Sequence, residues 1–357
     1  MKIINTVLLS NKKLKGMIIM RKLAMILLIT QILGLNLYSF AEENGWTKRS
    51  DIPAARYGHS SSVVNGKIYV IGGTTDWQDI ALSTVEEYDP LTDTWTRKHE
   101  MPTARWALST SVVDGKIYAI GGTKGEKLIS TVEMYDPAID KWAKKSDMPI
   151  ERASFATSAV NGKIYAFGGF NYIKDGVTVT SIVEEYDPIM DRWIIKNDMP
   201  IARANLCSIT LRDKIYVIGG MNENCEYLTL VEEYDPITHK WSEKSSMPTA
   251  RVDSSIAELD GKIYVLGGWD GYSFLATSEK YDPLTNSWII GANMLIPKYC
   301  SSANVVNDKI YVIGGEGEAR MPLSVVEEYD PIFSGEITKI DNINKVVSCW
   351  GAIKKTY

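Results

Sequence analysis

The chain has 357 residues, 45% hydrophobic and 23% charged, with a formal net charge of −5. That usage excludes a wholly disordered or collagen-like chain, and four cysteines are too few for a disulfide-built scaffold. The mildly acidic balance leaves no basic footprint for nucleic acid.

Residues 1–41 contain six Lys or Arg and no Asp or Glu. Met20-Arg21-Lys22 reads as a charged n-region, residues 23–37 as an apolar h-region, and Ser39-Phe40-Ala41 as a small-residue cleavage site. The apolar run is interrupted by Gln31 and Asn36 and is short for a span, which needs about 20 residues. The segment 1–41 is therefore expected to be a signal peptide. The product would be secreted, periplasmic or held at the cell surface, without a stable membrane span. Removing it leaves 33 basic and 44 acidic residues, a net charge of −11.

The rest of the chain is repetitive. Trp recurs at 46, 95, 142, 193, 241 and 288, at intervals of 49, 47, 51, 48 and 47. Gly-Gly pairs ending at Gly73, Gly122, Gly169, Gly220, Gly268 and Gly315 keep the same intervals. So do the basic residues Arg56, Arg105, Arg152, Arg203, Arg251 and Lys298. Tyr-Asp-Pro begins at Tyr88, Tyr135, Tyr186, Tyr234, Tyr281 and Tyr329. Four markers in one register over six units define a repeat architecture.

Each unit reads as four short strands. In the first, Ser60-Ser61-Ser62-Val63-Val64 is extended and small, and Asn65-Gly66 is a hairpin pair suited to positive φ. Lys67-Ile68-Tyr69-Val70-Ile71 is a second strand buried on both faces. Thr84 to Tyr88 forms the third, and Trp95 begins the fourth after the Asp89-Pro90 turn. No segment of this region shows a helical period. In a radial array the inner strands crowd together and need Ser, Thr and Ala. Further out, Tyr and Trp seven residues apart fill the widening space.

This pattern resembles the kelch repeat over residues 46 to about 331. The resemblance implies an all-β, six-bladed β-propeller of four-stranded blades, spanning 42–332. The sixth unit departs from it, because Glu336 stands seven residues after Tyr329 where Trp is expected. Trp46 supplies the missing residue, so residues 45–50 are expected to form the outer strand of blade six and close the ring. Residues 333–357, with Cys349 and Trp350, fit no unit and have no assigned structure.

Alternate connections share a face of a propeller. The first-to-second and third-to-fourth turns barely vary between units. The second-to-third loops vary, with 13, 11, 15, 12, 11 and 12 residues from Gly-Gly to the repeated Glu. Recognition is expected on that face, together with the inter-blade connections. Trp77, Trp269 and Tyr272 lie in its loops, while Tyr57, Trp106 and Tyr299 follow the repeated basic residue in consecutive units around the ring. In some kelch propellers arginines at this motif position bind acidic peptides. Arg56, Arg105, Arg152, Arg203, Arg251 and Lys298 are accordingly candidate ligand contacts at the channel mouth, or partners of Glu86, Glu133, Glu184, Glu232, Glu279 and Glu327.

Catalytic signals are sparse. His59, His99 and His239 are not expected to converge, and the cysteines have no metal spacing, so no metal or cofactor is expected. The reading is a monomeric, non-catalytic module that binds a protein segment or a glycan. The alternative is a mutarotase acting on acidic sugars, a likeness some exported bacterial kelch propellers show. Asp253, Glu258 and Arg251 are its only candidate residues.

Overall fold

In the computed structural model of the protein, residues 44–76, 80–173 and 176–332 are described. The leader 1–41, Trp77 and the tail 333–357 lie outside them. Among the described residues there are six four-stranded antiparallel sheets. The first comprises Ser60–Val64, Lys67–Ile71, Val85–Asp89 and Thr94–Lys98. Units two to five repeat this order along the chain. The alternating inner strands and the fully buried Ile68, Val70 and Ile71 of the second strand follow the sequence pattern.

Blade six is built from Ser302–Val306, Lys309–Ile313 and Val326–Tyr329, with Trp46–Arg49 as its outer strand. Trp46 pairs with Tyr329 and Arg49 with Val326. The ring is thus closed by the beginning of the repeat region, so that Val326–Tyr329 is paired on both sides like the third strand of every other blade.

Six apolar clusters lie between neighbouring sheets, one for each interface of the closed ring. Between blades two and three, for example, Ile120, Val132 and Met148 pack on Phe155, Ile164 and Tyr186. Met148 belongs to a fifth repeated marker: Ile52, Met101, Met148, Met199, Met247 and Met294 stand four residues before each basic residue and are all buried. The repeated Trp side chains stitch the blades together through their indole N–H. Trp95 donates to Ser50 O at 3.0 Å, Trp142 to His99 O at 3.0 Å, and Trp46 to Ala292 O at 3.1 Å.

Along the axis the small inner-strand residues do more than avoid clashes. Their hydroxyls bond across blades, as in Ser60–Thr110 at 2.8 Å, Ser109–Thr157 at 2.9 Å and Ser255–Ser301 at 2.7 Å. Two loops of the variable face carry short hairpins that the repeat pattern did not show, Thr123–Lys124 with Lys127–Leu128 and Phe170–Ile173 with Gly176–Val179. Among the described residues, no helix is long and apolar enough to cross a membrane.

Candidate functional site

A three-residue elbow precedes each inner strand. The six are Tyr57-Gly58-His59, Trp106-Ala107-Leu108, Ala153-Ser154-Phe155, Ala204-Asn205-Leu206, Val252-Asp253-Ser254 and Tyr299-Cys300-Ser301. The first residue of each bridges to the residue just after Gly-Gly, for example Trp106 to Thr123 and Tyr299 to Glu316. This joins the inter-blade connections to the variable loops on one face, as the unit comparison implied.

The central residue of every elbow is left-handed, with φ of 60° at Gly58, 50° at Ala107, 51° at Ser154, 56° at Asn205, 50° at Asp253 and 50° at Cys300. For non-glycine residues this conformation costs about 1–2 kcal/mol. A closed circle of backbone hydrogen bonds offsets that cost. The Gly58 N–H donates to Cys300 O, Cys300 to Asp253 O, Asp253 to Asn205 O, Asn205 to Ser154 O, Ser154 to Ala107 O and Ala107 to Gly58 O, all within 2.7–3.1 Å. One residue per blade is thereby held at the mouth of the channel.

The elbows surround a cavity of about 600 Å³. Its lining is uneven. Tyr57, Trp106, Phe155 and Tyr299 contribute aromatic surface, and the Tyr57 and Trp106 rings meet edge-on at 6.4 Å. Ser154, Asn205 and Asp253 contribute polar groups, with Asn205 Nδ2 donating to Asp253 Oδ2 at 2.9 Å. Burial pushes the Asp253 carboxyl up to about 7, opposed by hydrogen bonds from Cys300 and Asn205. Burial pushes His59 down to about 3, so its ring is neutral at physiological pH. Burial also raises Glu316, whose Oε2 accepts the Tyr299 hydroxyl at 2.9 Å.

Of the expected aromatics, Tyr57, Trp106 and Tyr299 line this cavity together. Trp269 does not; it packs on Phe274, which in turn packs on Tyr299. Tyr272 stands alone at 93% exposure, away from the cavity lining.

The expected role of the six basic residues is corrected. Arg56, Arg105, Arg152, Arg203, Arg251 and Lys298 all have 0% exposure and present nothing to a ligand at the mouth. Each is ion-paired inside its own blade with Glu86, Glu133, Glu184, Glu232, Glu279 and Glu327 respectively. Arg56 Nη1 also donates to Gly72 O at 3.0 Å, and Arg152 Nη1 to Gly168 O at 3.1 Å. A buried guanidinium needs such partners, and here it ties the second strand to the third.

The three residues named for mutarotase chemistry are not brought together. Arg251 is engaged by Glu279, and Glu258 accepts the Gly261 N–H of its own hairpin turn at 2.8 Å. Only Asp253 reaches the cavity. His239 takes the place of the repeated Asp that receives the Tyr hydroxyl, with Nδ1 3.0 Å from Tyr234 Oη. His99 sits in an inter-blade connection, where its N–H donates to Asp140.

Sequence reasoning missed Ser154, Phe155 and Asn205 as cavity residues. Their signal was present as the variable position two or three residues after each repeated base, where six units carry six different central residues.

A model of the KLHDC2/KLHL20/DRC7 Kelch-repeats domain matches residues 35–194, and one of the Attractin/LZTR1 beta-propeller matches residues 134–331. No curated protein sequence matches the chain. The solved structure of YjhT aligns with a TM-score of 0.70 at 16% identity, covering 78% of this chain and 95% of that one. At that identity the likeness concerns the fold. With six units in one register, six matching blades and a family model covering more than half its length, the chain belongs to the kelch-repeat β-propeller family.

Proposed function

We propose that this protein is a non-catalytic binding module that holds a glycan in the cavity at the mouth of its channel. One observation carries the reading: a cavity of about 600 Å³ with aromatic rings on one side and Ser154, Asn205 and Asp253 on the other. A sugar presents C–H faces that pack on aromatic rings and hydroxyls that exchange hydrogen bonds with polar side chains. A concave site with a few convergent polar groups on a rigid ring suits such a ligand. An acidic peptide segment is served less well, because the six repeated cations are engaged within the blades. The expected leader would deliver the module outside the cytoplasm, where glycans are accessible.

The test is glycan-array binding by the purified ring, followed by titration of the best ligand against Trp106→Ala and Asn205→Ala. Each substitution should weaken binding at least about tenfold while the ring still unfolds in one cooperative transition well above the assay temperature. A ligand indifferent to both would place recognition elsewhere. Acceleration of sialic acid anomer exchange by the protein would overturn the non-catalytic assignment.

A further inference from the structure

Most buried acids in this ring come with their own cations; Glu316, fully buried, instead accepts the Tyr299 hydroxyl. Glu86, Glu133, Glu184, Glu232, Glu279 and Glu327 each contact a basic side chain within the blade. Asp253 is different. Its carboxylate is half-buried in the cavity lining and accepts Asn205 Nδ2 at 2.9 Å, and no cation pairs with it among the described residues.

The left-handed backbone explains only part of this choice. Asp is at ease there, but so is Asn, which occupies the same position in the neighbouring blade as Asn205. A carboxylate at this place costs desolvation that an amide would not, unless something compensates the charge.

The surroundings point to the sign of the missing partner. None of the described residues lining the cavity is Arg or Lys, and His59 is held neutral by burial. Glu126 also lines the cavity, and Glu316 stands behind Tyr299. The remaining wall includes Trp106, whose ring face attracts cations as well as apolar surface, whereas the Phe155 ring already has the Arg152 guanidinium over it at 5.9 Å.

We propose that the cavity selects a ligand bearing a protonated amine, an amino sugar in the first instance, with Asp253 as its counter-ion and the Trp106 side of the cavity as its packing surface. This rests on the glycan reading and specifies the ligand's charge.

Calorimetry at pH 7.0 with two matched pairs tests it. The first pair is the fully deacetylated disaccharide of glucosamine against its diacetylated form. The second is benzylamine against benzyl alcohol, which carry no sugar. Wild type and Asp253→Asn are compared, with thermal melts to confirm that both are folded. The charged member of the saccharide pair should bind at least about tenfold more tightly to wild type, and Asp253→Asn should erase that preference. Equal binding of the two disaccharides, or a preference that survives Asp253→Asn, would overturn the amine assignment and leave the glycan site standing. Asp253-dependent binding of benzylamine without either disaccharide would support the amine site and remove the glycan. Binding of none of the four would remove both.

Discussion

The Trp46 indole packs 5.0 Å from the Tyr329 ring, joining the first described strand of the ring to the last. In other blades the same contact is made between residues seven apart, such as Tyr88 and Trp95 at 4.8 Å. Here it spans the entire repeat region, and Arg49 contacts Glu328 at 2.6 Å beside it.

Deleting residues 42–50 should therefore destabilise the whole ring, because it exposes an edge of blade six and removes the buried Trp46 from the interface with blade five. The melting temperature should fall by more than about 10 °C, or cooperative unfolding should be lost. A deletion variant melting with the parent would refute the closure.

Breaking one spoke of the basic ring should cost stability and leave ligand affinity in place. Arg152→Ala strands Glu184, itself fully buried, without its countercharge. The expected loss is about 3–5 kcal/mol in denaturant unfolding. The double substitution Arg152→Met with Glu184→Leu should recover much of it, since no uncompensated charge remains. A single variant as stable as wild type would show that the pair contributes nothing.

Two glycines separate backbone strain from steric clash. Both Gly162 and Gly168 have positive φ, 73° and 60°. A Cβ at Gly162 meets nothing within 4 Å, whereas at Gly168 it would lie 2.4 Å from Arg203 O of the next blade. Gly162→Ala should cost about 1–2 kcal/mol from conformation alone. Gly168→Ala should cost clearly more, because two blades must part. Equal costs by chemical denaturation would mean the blades adjust freely.

The Asp253 carboxyl gives stability a distinctive pH dependence. Its pKa is raised in the folded state to about 7, above the unfolded value of about 3.9. The folded state therefore binds the proton more tightly, and this group favours folding most below pH 4. That contribution declines as pH rises from 4 through 7. Asp253→Asn should be more stable than wild type at pH 8, by roughly 2–4 kcal/mol, with the gap closing at pH 4. Parallel stability curves across that range would contradict the burial of this carboxyl.

The candidate site was legible only in part. Comparing the units placed Tyr57, Trp106 and Tyr299 in one arc, and all three line the cavity. Trp269 and Tyr272 looked equivalent by composition, yet one is one aromatic layer removed behind Phe274 and the other is exposed. The basic residues were ambiguous for a physical reason. A residue at the start of an inner strand can turn outward to the channel mouth or inward to the third strand, and sequence spacing is the same for both. The inward choice follows from a glutamate about 30 residues later, which meets it only when the sheet is assembled.

The sequence by itself determined the number of blades, the strand order and the need for Trp46 in blade six. These rest on local periodicity: small residues for the inner strands, β-branched residues for the second, and Tyr and Trp at a constant offset. Only the tertiary structure decided which charges are available and which are already paired. It also brought Asn205 and Asp253 into contact, at 2.9 Å, from blades that sequence shows merely as neighbours. The circle of left-handed residues at the channel mouth belongs to this second class, since each hydrogen bond in it joins two repeats, and it closes only once all six are in place.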